Sequence, residues 1–355
     1  MSDGKIKVLI VEDSAVMRQM LAHVLQADPQ LQVIGAASDG AEALELLRQR
    51  TPDVITMDIN MPRMDGFEVT RRIMETQPIP VVIVSASWKH DEVKTTFNAV
   101  EAGAVAVVGK PHGLGHPQHD EEARSLVQTV KAMSEVKLVR RWSRAPRSTP
   151  AATPAAPPPV PSSTNASEIL LVAIGASTGG PLVLQTLLAG LPPRFPVPIL
   201  IVQHIAVGFL EGMVDWLRQS TGRAVFIGTH GQIAEPGIVY LAPDRKHMGV
   251  ASDRRIVLTP GDASDVLCPS VAHLFAATAR AFGPAAAGVL LTGMGRDGAE
   301  ELLTMRQQGA LTIAQDEESS VVFGMPGEAV KLGAARYVLP PERIAALLAT
   351  TITSR

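Results

Sequence analysis

Residues Gly175-Ala-Ser-Thr-Gly-Gly180 set the hydroxyl of Ser177 among glycines. The apolar run Ile169 to Ile174 precedes them, and Pro181, a residue favoured in the first turn of a helix, follows. A strand that ends in a tight glycine turn and re-enters as a helix lifts its hydroxyl to the sheet edge. There it lies beside free N–H groups that favour negative charge. Two chemistries fit this stretch. Gly175-x-Ser177-x-Gly179 has the form of a nucleophile elbow, and the same residues have the form of a phosphate- or dinucleotide-binding loop.

A serine nucleophile requires a base, and the base an orienting acid. His204 follows the apolar run Ile199–Gln203, which would bring it to the same sheet edge. Asp297 lies in Thr292-Gly-Met-Gly-Arg-Asp-Gly298, again a strand end, a glycine loop and a helix start. Its loop, Gly293 to Gly295, would present backbone N–H groups to an oxyanion. An aspartate in that place also serves as an ordinary helix cap. His247, in a turn after another strand, is less well placed as the base. The order Ser177, His204, Asp297 departs from the Ser, Asp, His order of α/β-hydrolases.

A second set of chemical groups lies upstream. Glu12 and Asp13 follow the run Lys7–Val11, Asp58 follows Val54–Met57, Ser85 ends Val81–Ser85, and Lys110 follows Val105–Val108. Three carboxylates at one sheet edge repel one another unless a cation sits among them, and oxygen-only ligands suit Mg²⁺. An aspartyl phosphate would use this set: Asp58 as nucleophile, Mg²⁺ to neutralise the phosphoryl group, Ser85 and Lys110 to bind its oxygens.

The elements that must position these groups alternate. From residue 5 to about 130, five strand-like runs alternate with helical patterns over Ala15–Gln26, Gly40–Gln49, Gly66–Glu75, Asp91–Ala102 and Asp120–Met133. This is the pattern of a parallel sheet with helices on both faces. From Ile169 the alternation resumes to the C-terminus. Between them lies a basic stretch followed by Ser148-Thr-Pro-Ala-Ala-Thr-Pro-Ala-Ala-Pro-Pro-Pro-Val-Pro161, which cannot bury a core and reads as an extended spacer. The expected division is a domain over 1–133, a linker over 134–167 and a second domain over 168–355. The fold class expected is α/β throughout. The first domain is a flavodoxin-like five-stranded parallel sheet, and the second is doubly wound with a mostly parallel sheet.

Composition narrows the classes. A net charge of −3 gives no pull towards nucleic acid or anionic membrane, and neither a helix-turn-helix nor a basic recognition helix is apparent. One cysteine, Cys268, excludes an intramolecular disulfide framework and fits a reducing compartment. No apolar run reaches membrane-span length, and the N-terminus lacks the layout of a signal peptide. A cytoplasmic protein without membrane insertion is expected.

Val11-Glu-Asp-Ser14, Met57-Asp-Ile-Asn-Met-Pro-Arg-Met-Asp-Gly66, Ser85-Ala86 and Lys110-Pro111 resemble, in order and spacing, the motifs of response-regulator receiver domains. The resemblance implies phosphorylation of Asp58 by a chemotaxis histidine kinase. It implies Mg²⁺ held by Glu12, Asp13, Asp58 and the backbone carbonyl of Asn60, a phosphoryl-binding switch of Ser85 and Lys110, and a cis peptide before Pro111. Val107 stands where receivers often carry an aromatic residue.

Gly175–Gly180, Val202-Gln-His204, Thr292–Gly298 and Ala314-Gln-Asp-Glu…Val-Val-Phe-Gly-Met-Pro326 resemble the catalytic domain of the chemotaxis response-regulator protein-glutamate methylesterases. That implies a triad of Ser177, His204 and Asp297, with Thr178 in support and the Met294 N–H at the oxyanion. His247 would line the cleft. The implied activity is hydrolysis of glutamyl methyl esters on methyl-accepting chemoreceptors and deamidation of receptor glutamines, with no cofactor for the esterase reaction. Phosphorylation would uncover a cleft that the receiver occludes. The alternative is a non-enzymatic response regulator that binds an anionic ligand at Gly175–Gly180.

Overall fold

The computed structural model describes residues 4–85, 102–136, 168–262, 265 and 267–353. All but Ala102 of the helix expected over Asp91–Ala102, and most of the expected linker, lie outside these residues. The chain divides into two compact units. One comprises Met1–Leu138 with Ile205–Trp216, the other Val139–His204 with Leu217–Arg355.

In the first unit, β1 (Ile6–Val11), β2 (Leu31–Ala37), β3 (Val54–Met57), β4 (Val81–Ser85) and β5 (Ala106–Gly109) form a wholly parallel sheet of order β2-β1-β3-β4-β5. Val8, Ile10, Ile55 and Val82 are fully buried, as expected of strands covered on both faces. The helices start where the side chains cap them. Ser14, Asp39 and Asp65 each accept a backbone N–H, from Met17, Glu42 and Glu68, and open helices Ala15–Gln26, Gly40–Gln49 and Gly66–Thr76. Helix His119–Ser134 closes this run.

In the second unit, seven strands form a wholly parallel sheet: β6 (Leu171–Ala176), β7 (Ile199–Gln203), β8 (Val225–Ile227), β9 (Val239–Leu241), β12 (Ala286–Leu290), β13 (Leu311–Gln315) and β14 (Tyr337–Leu339). Their order is β14-β13-β12-β6-β7-β9-β8. β10 (Lys246–Val250) and β11 (Ile256–Pro260) pair separately as an antiparallel ribbon. Leu171, Ala173, Leu200, Val202, Phe275 and Leu302 belong to one buried core. The sheet grows from β6 towards β7 on one side and β12 on the other. Open α/β sheets bind ligands at such a reversal, outside the carboxyl ends of the strands.

Three sequence expectations change. His247 lies on β10, not in a turn; the turn ends at Arg245, and pairing with β11 makes a strand of the polar pair Lys246-His247 and the residues after it. β14 and helix Met325–Lys331 were not anticipated, since a three-residue edge strand and a helix carrying Pro326 and Gly327 give little periodic signal. Among the described residues the cis peptide bond is Cys268–Pro269, so the peptide before Pro111 is trans.

Candidate functional site

Ser177 follows β6 and starts a turn whose chain re-enters as helix Gly180–Gly190, with Pro181 in its first turn. His204 follows β7, the strand paired with β6 on one side. Asp297 follows β12, the strand paired with β6 on the other. Three neighbouring parallel strands thus deliver hydroxyl, imidazole and carboxylate to one edge, at the reversal of strand order.

Backbone bonds fix these loops to one another. The Ser177 N–H donates to Thr292 O at 3.0 Å, and the His204 N–H donates to Ala176 O at 3.0 Å. Thr292 Oγ1 donates to Thr178 O at 2.9 Å and accepts the Val322 N–H at 2.9 Å. A Cβ at Gly293 would come within 2.7 Å of Ser177 Cβ, so only glycine lets the two loops pack this closely.

His204 Nε2 lies 3.0 Å from Asp297 Oδ2. The approach is within ion-pair range but off the line of a hydrogen bond. His204 Nδ1 and Ser177 Oγ make no hydrogen bond among the described residues. The structure therefore pairs His204 with Asp297 directly and brings Ser177 to the same edge without an Oγ–imidazole bond.

Asp297 is enclosed by donors. Val271 N–H donates to Oδ2 at 2.7 Å; Ala272 N–H and Ser270 Oγ donate to Oδ1, each at 3.0 Å. Val271 and Ala272 open helix Val271–Phe282, whose N-terminus favours an anion. Burial raises the carboxyl pKa, but the His204 contact and the two N–H groups outweigh it and hold Asp297 below the usual carboxylate range. The alternative role of Asp297 as a cap of the helix that follows it is not what the structure shows, since its carboxylate accepts from the first N–H groups of the helix of another segment.

The glycine loop gives fewer free donors than expected. Gly293 N–H is spent on Val322 O at 3.0 Å, whereas Met294 and Thr178 N–H groups donate to nothing among the described residues. A cavity beside Asp297 is lined by His247, Asp265, Ser270, His273 and Glu301, which places His247 on its wall. His247 Nε2 pairs with Asp265 Oδ2 at 2.9 Å and its ring stacks on His273. Burial, with His247 and Arg280 nearby, lowers the His273 pKa.

In the first unit Glu12 (0% exposed), Asp58 (3%) and the exposed Asp13 each offer an oxygen within 4.8 Å of the others. Lys110 Nζ lies 2.7 Å from Glu12 Oε2, without hydrogen-bond alignment, and 2.9 Å from Asp58 Oδ2. Burial raises the Glu12 pKa against the opposing pull of Lys110. Burial lowers that of Lys110, but the two carboxylates reverse the effect and raise it. One ammonium cannot balance three carboxylates, and this all-oxygen set, open to water at Asp13, fits Mg²⁺. Asn60 N–H lies 3.4 Å from Asp58 Oδ1. Ser85 is buried, and its carbonyl accepts the Lys110 N–H at 2.9 Å. Val107 packs against the core of this unit.

Sequence reading gave no role to Gln203, Ser270, Thr292 or Gln315. Gln203 and Gln315 are the last residues of β7 and β13, and both donate or accept at the loops around Ser177. Two apolar strands that each end in a buried amide were the signal available.

A receiver-type carboxylate cluster and a hydrolase-type edge in one chain define a response regulator with an esterase-like α/β unit. The profile of the response regulator receiver domain matches residues 8–116, and that of the CheB methylesterase matches residues 172–348. A protein-glutamate methylesterase/protein-glutamine glutaminase 1 of Syntrophus aciditrophicus is 54% identical over 97% of this chain and 97% of its own length. A relative of the same name in Nitrosospira multiformis is 51% identical over 99% of this chain and 98% of its own. The CheB methylesterase catalytic domain of Thermotoga maritima, a crystal structure, is 34% identical, covering 52% of this chain and 98% of that one at a TM-score of 0.49. The chain belongs to the protein-glutamate methylesterase/protein-glutamine glutaminase family of enzymes. No helix among the described residues is long and apolar enough to cross a membrane.

Proposed function

We propose that this chain removes methyl esters from glutamyl side chains of chemoreceptors, and deamidates receptor glutamines, through an acyl-enzyme on Ser177. The observation that carries the proposal is the convergence of Ser177, His204 and Asp297 from β6, β7 and β12, with His204 Nε2 3.0 Å from a part-buried, donor-enclosed Asp297. With Nε2 turned to Asp297, Nδ1 is the nitrogen that takes the Ser177 proton. Oγ attacks the ester carbonyl, and the Met294 N–H, with Thr178 beside it, stabilises the oxyanion. Collapse returns the proton to the leaving methanol. Water, deprotonated by His204, then releases the glutamate. A glutamine side chain follows the same course with ammonia leaving. Asp297 holds the imidazolium in place and keeps its own negative charge.

The first unit supplies control. Asp58 accepts a phosphoryl group from a chemotaxis histidine kinase, and Glu12, Asp13, Asp58 and the Asn60 carbonyl would hold Mg²⁺. When bound, that ion neutralises charge on the phosphoryl oxygens. Ser85 and Lys110 bind those oxygens, and the new charge on Asp58 biases the rate of hydrolysis. Methanol release from methylated receptor membranes, with and without a small-molecule phosphodonor, tests this reading. Release that depends on Ser177 and rises with the phosphodonor supports it; undiminished release by Ser177→Ala overturns it.

A further inference from the structure

The side chain of Gln203 joins the two halves of the proposed site. Its Nε2 donates to the carbonyl oxygen of Ser177 at 2.8 Å and to that of His204 at 2.8 Å. Gln203 is the last residue of β7 and only 5% exposed, so its amide has few other conformations to adopt. The amide orientation follows from its partners. Turned the other way, Oε1 would face two carbonyl oxygens, a repulsive arrangement in a low-dielectric interior.

Oε1 itself is buried with no hydrogen-bond partner among the described residues. An unsatisfied buried acceptor carries a desolvation cost, so the arrangement persists against a penalty. Its surroundings leave little slack: a Cβ at Gly180 would collide with Oε1. Gly180 N–H donates to the same Ser177 carbonyl at 2.8 Å. The Ser177 carbonyl therefore takes one bond from the helix that follows it and one from the strand that carries His204.

We propose that Gln203 is a positioning residue that sets the separation of nucleophile and base by bridging their backbone carbonyls. This rests on the esterase reading of Ser177 and His204. No hydrogen bond holds Oγ to the imidazole, so the distance between them depends on the loops that carry them. The Gln203 amide is the side chain that ties those loops together. A misplacement of about 1 Å at reacting atoms costs on the order of 10²-fold in rate.

The test uses the full-length chain with a phosphodonor on methylated receptor membranes. Gln203→Glu keeps the shape but sets a carboxylate against two carbonyls; Gln203→Met keeps the length and removes the donor. Active sites are counted by phosphonate titration, so that rates refer to folded enzyme. Expected is a kcat per site about 10²-fold lower in both variants, with KM unchanged. The rate of Gln203→Glu relative to wild type should rise as pH falls from about 8 to about 6, because a buried carboxyl protonates in that range and regains a donor. Gln203→Met should show no such trend. A purely structural role would lower the thermal midpoint and the count of active sites while leaving kcat per site at the wild-type value, and that result overturns the proposal. So does an equal pH trend in both variants. A wild-type chain that releases no methanol overturns the esterase reading as well; normal wild-type turnover with unchanged variants overturns this proposal alone.

Discussion

Asp58 and Asp297 are both aspartates at the carboxyl edge of a wholly parallel sheet, yet their surroundings oppose each other. Asp58 lies among other carboxylates, with Glu12 and Asp13 within ligand distance and Lys110 as the cation touching it. Asp297 lies among donors, two backbone N–H groups at a helix start and a serine hydroxyl, with an imidazole at ion-pair distance. The first arrangement leaves a surplus of negative charge that a cation relieves. The second saturates a single charge and turns it towards a base. One fold edge can thus serve phosphoryl transfer or acyl transfer, and the difference lies in what surrounds the carboxylate.

The largest effects should separate the two regions. Ser177→Ala is expected to lower kcat for methanol release by about 10⁶-fold, as for loss of a nucleophile that acts as part of a unit. The same variant should take up phosphate on Asp58 as the wild type does. Loss of both activities would mean that the regions are not chemically distinct. Next, Asp297→Asn should cost about 10⁴-fold in kcat with little change in KM, since it loses the charge that steadies imidazolium. An effect confined to KM would move Asp297 out of the reaction. Asp58→Asn should abolish the response of the esterase to a phosphodonor, measured as the ratio of stimulated to unstimulated release.

Smaller effects sharpen the contrast in charge. Asp13→Asn relieves repulsion in the cluster, so the thermal midpoint without Mg²⁺ should rise slightly while Mg²⁺ affinity drops at least tenfold, read by titration of the thermal shift. Asp297 should behave in the opposite sense. Its folded pKa is depressed, so its stabilisation is present above the unfolded value of about 3.9 and disappears as pH falls through the lower folded value. The stability gap between wild type and Asp297→Asn should therefore persist at neutral pH and close only on the acid side of about pH 4, followed by denaturant unfolding. A gap that closes between about pH 6 and 7 would place the titrating group elsewhere.

Much of this contrast was legible in the sequence, because strand ends are. Val54–Met57 and Val81–Ser85 are runs rich in β-branched and apolar residues, and both appear with those bounds. The helices that open at Ser14, Asp39 and Asp65 carry their caps in the sequence. Once the strands are placed, Glu12, Asp58, Ser177, His204 and Asp297 fall at one edge of their sheets without further information. The remaining features depend on contacts between distant segments. Asp297 bonds to Val271 and Ala272, and Gln203 bonds across to Ser177; nothing local to either residue marks those partners. β10 is a strand because β11 pairs with it, which overrides the charge of its own residues. The trans peptide before Pro111 departs from what the resemblance to receivers implied.

The central claim is that Ser177 attacks with His204 as its base. A fluorophosphonate reacts quickly with a serine that such a base activates, and the modified peptide can be read by mass. The account predicts one phosphonyl group, on the peptide containing Ser177, formed quickly in the wild type and at least 10³-fold more slowly in His204→Ala. Labelling at another residue, or equal labelling in the His204→Ala chain, would contradict it.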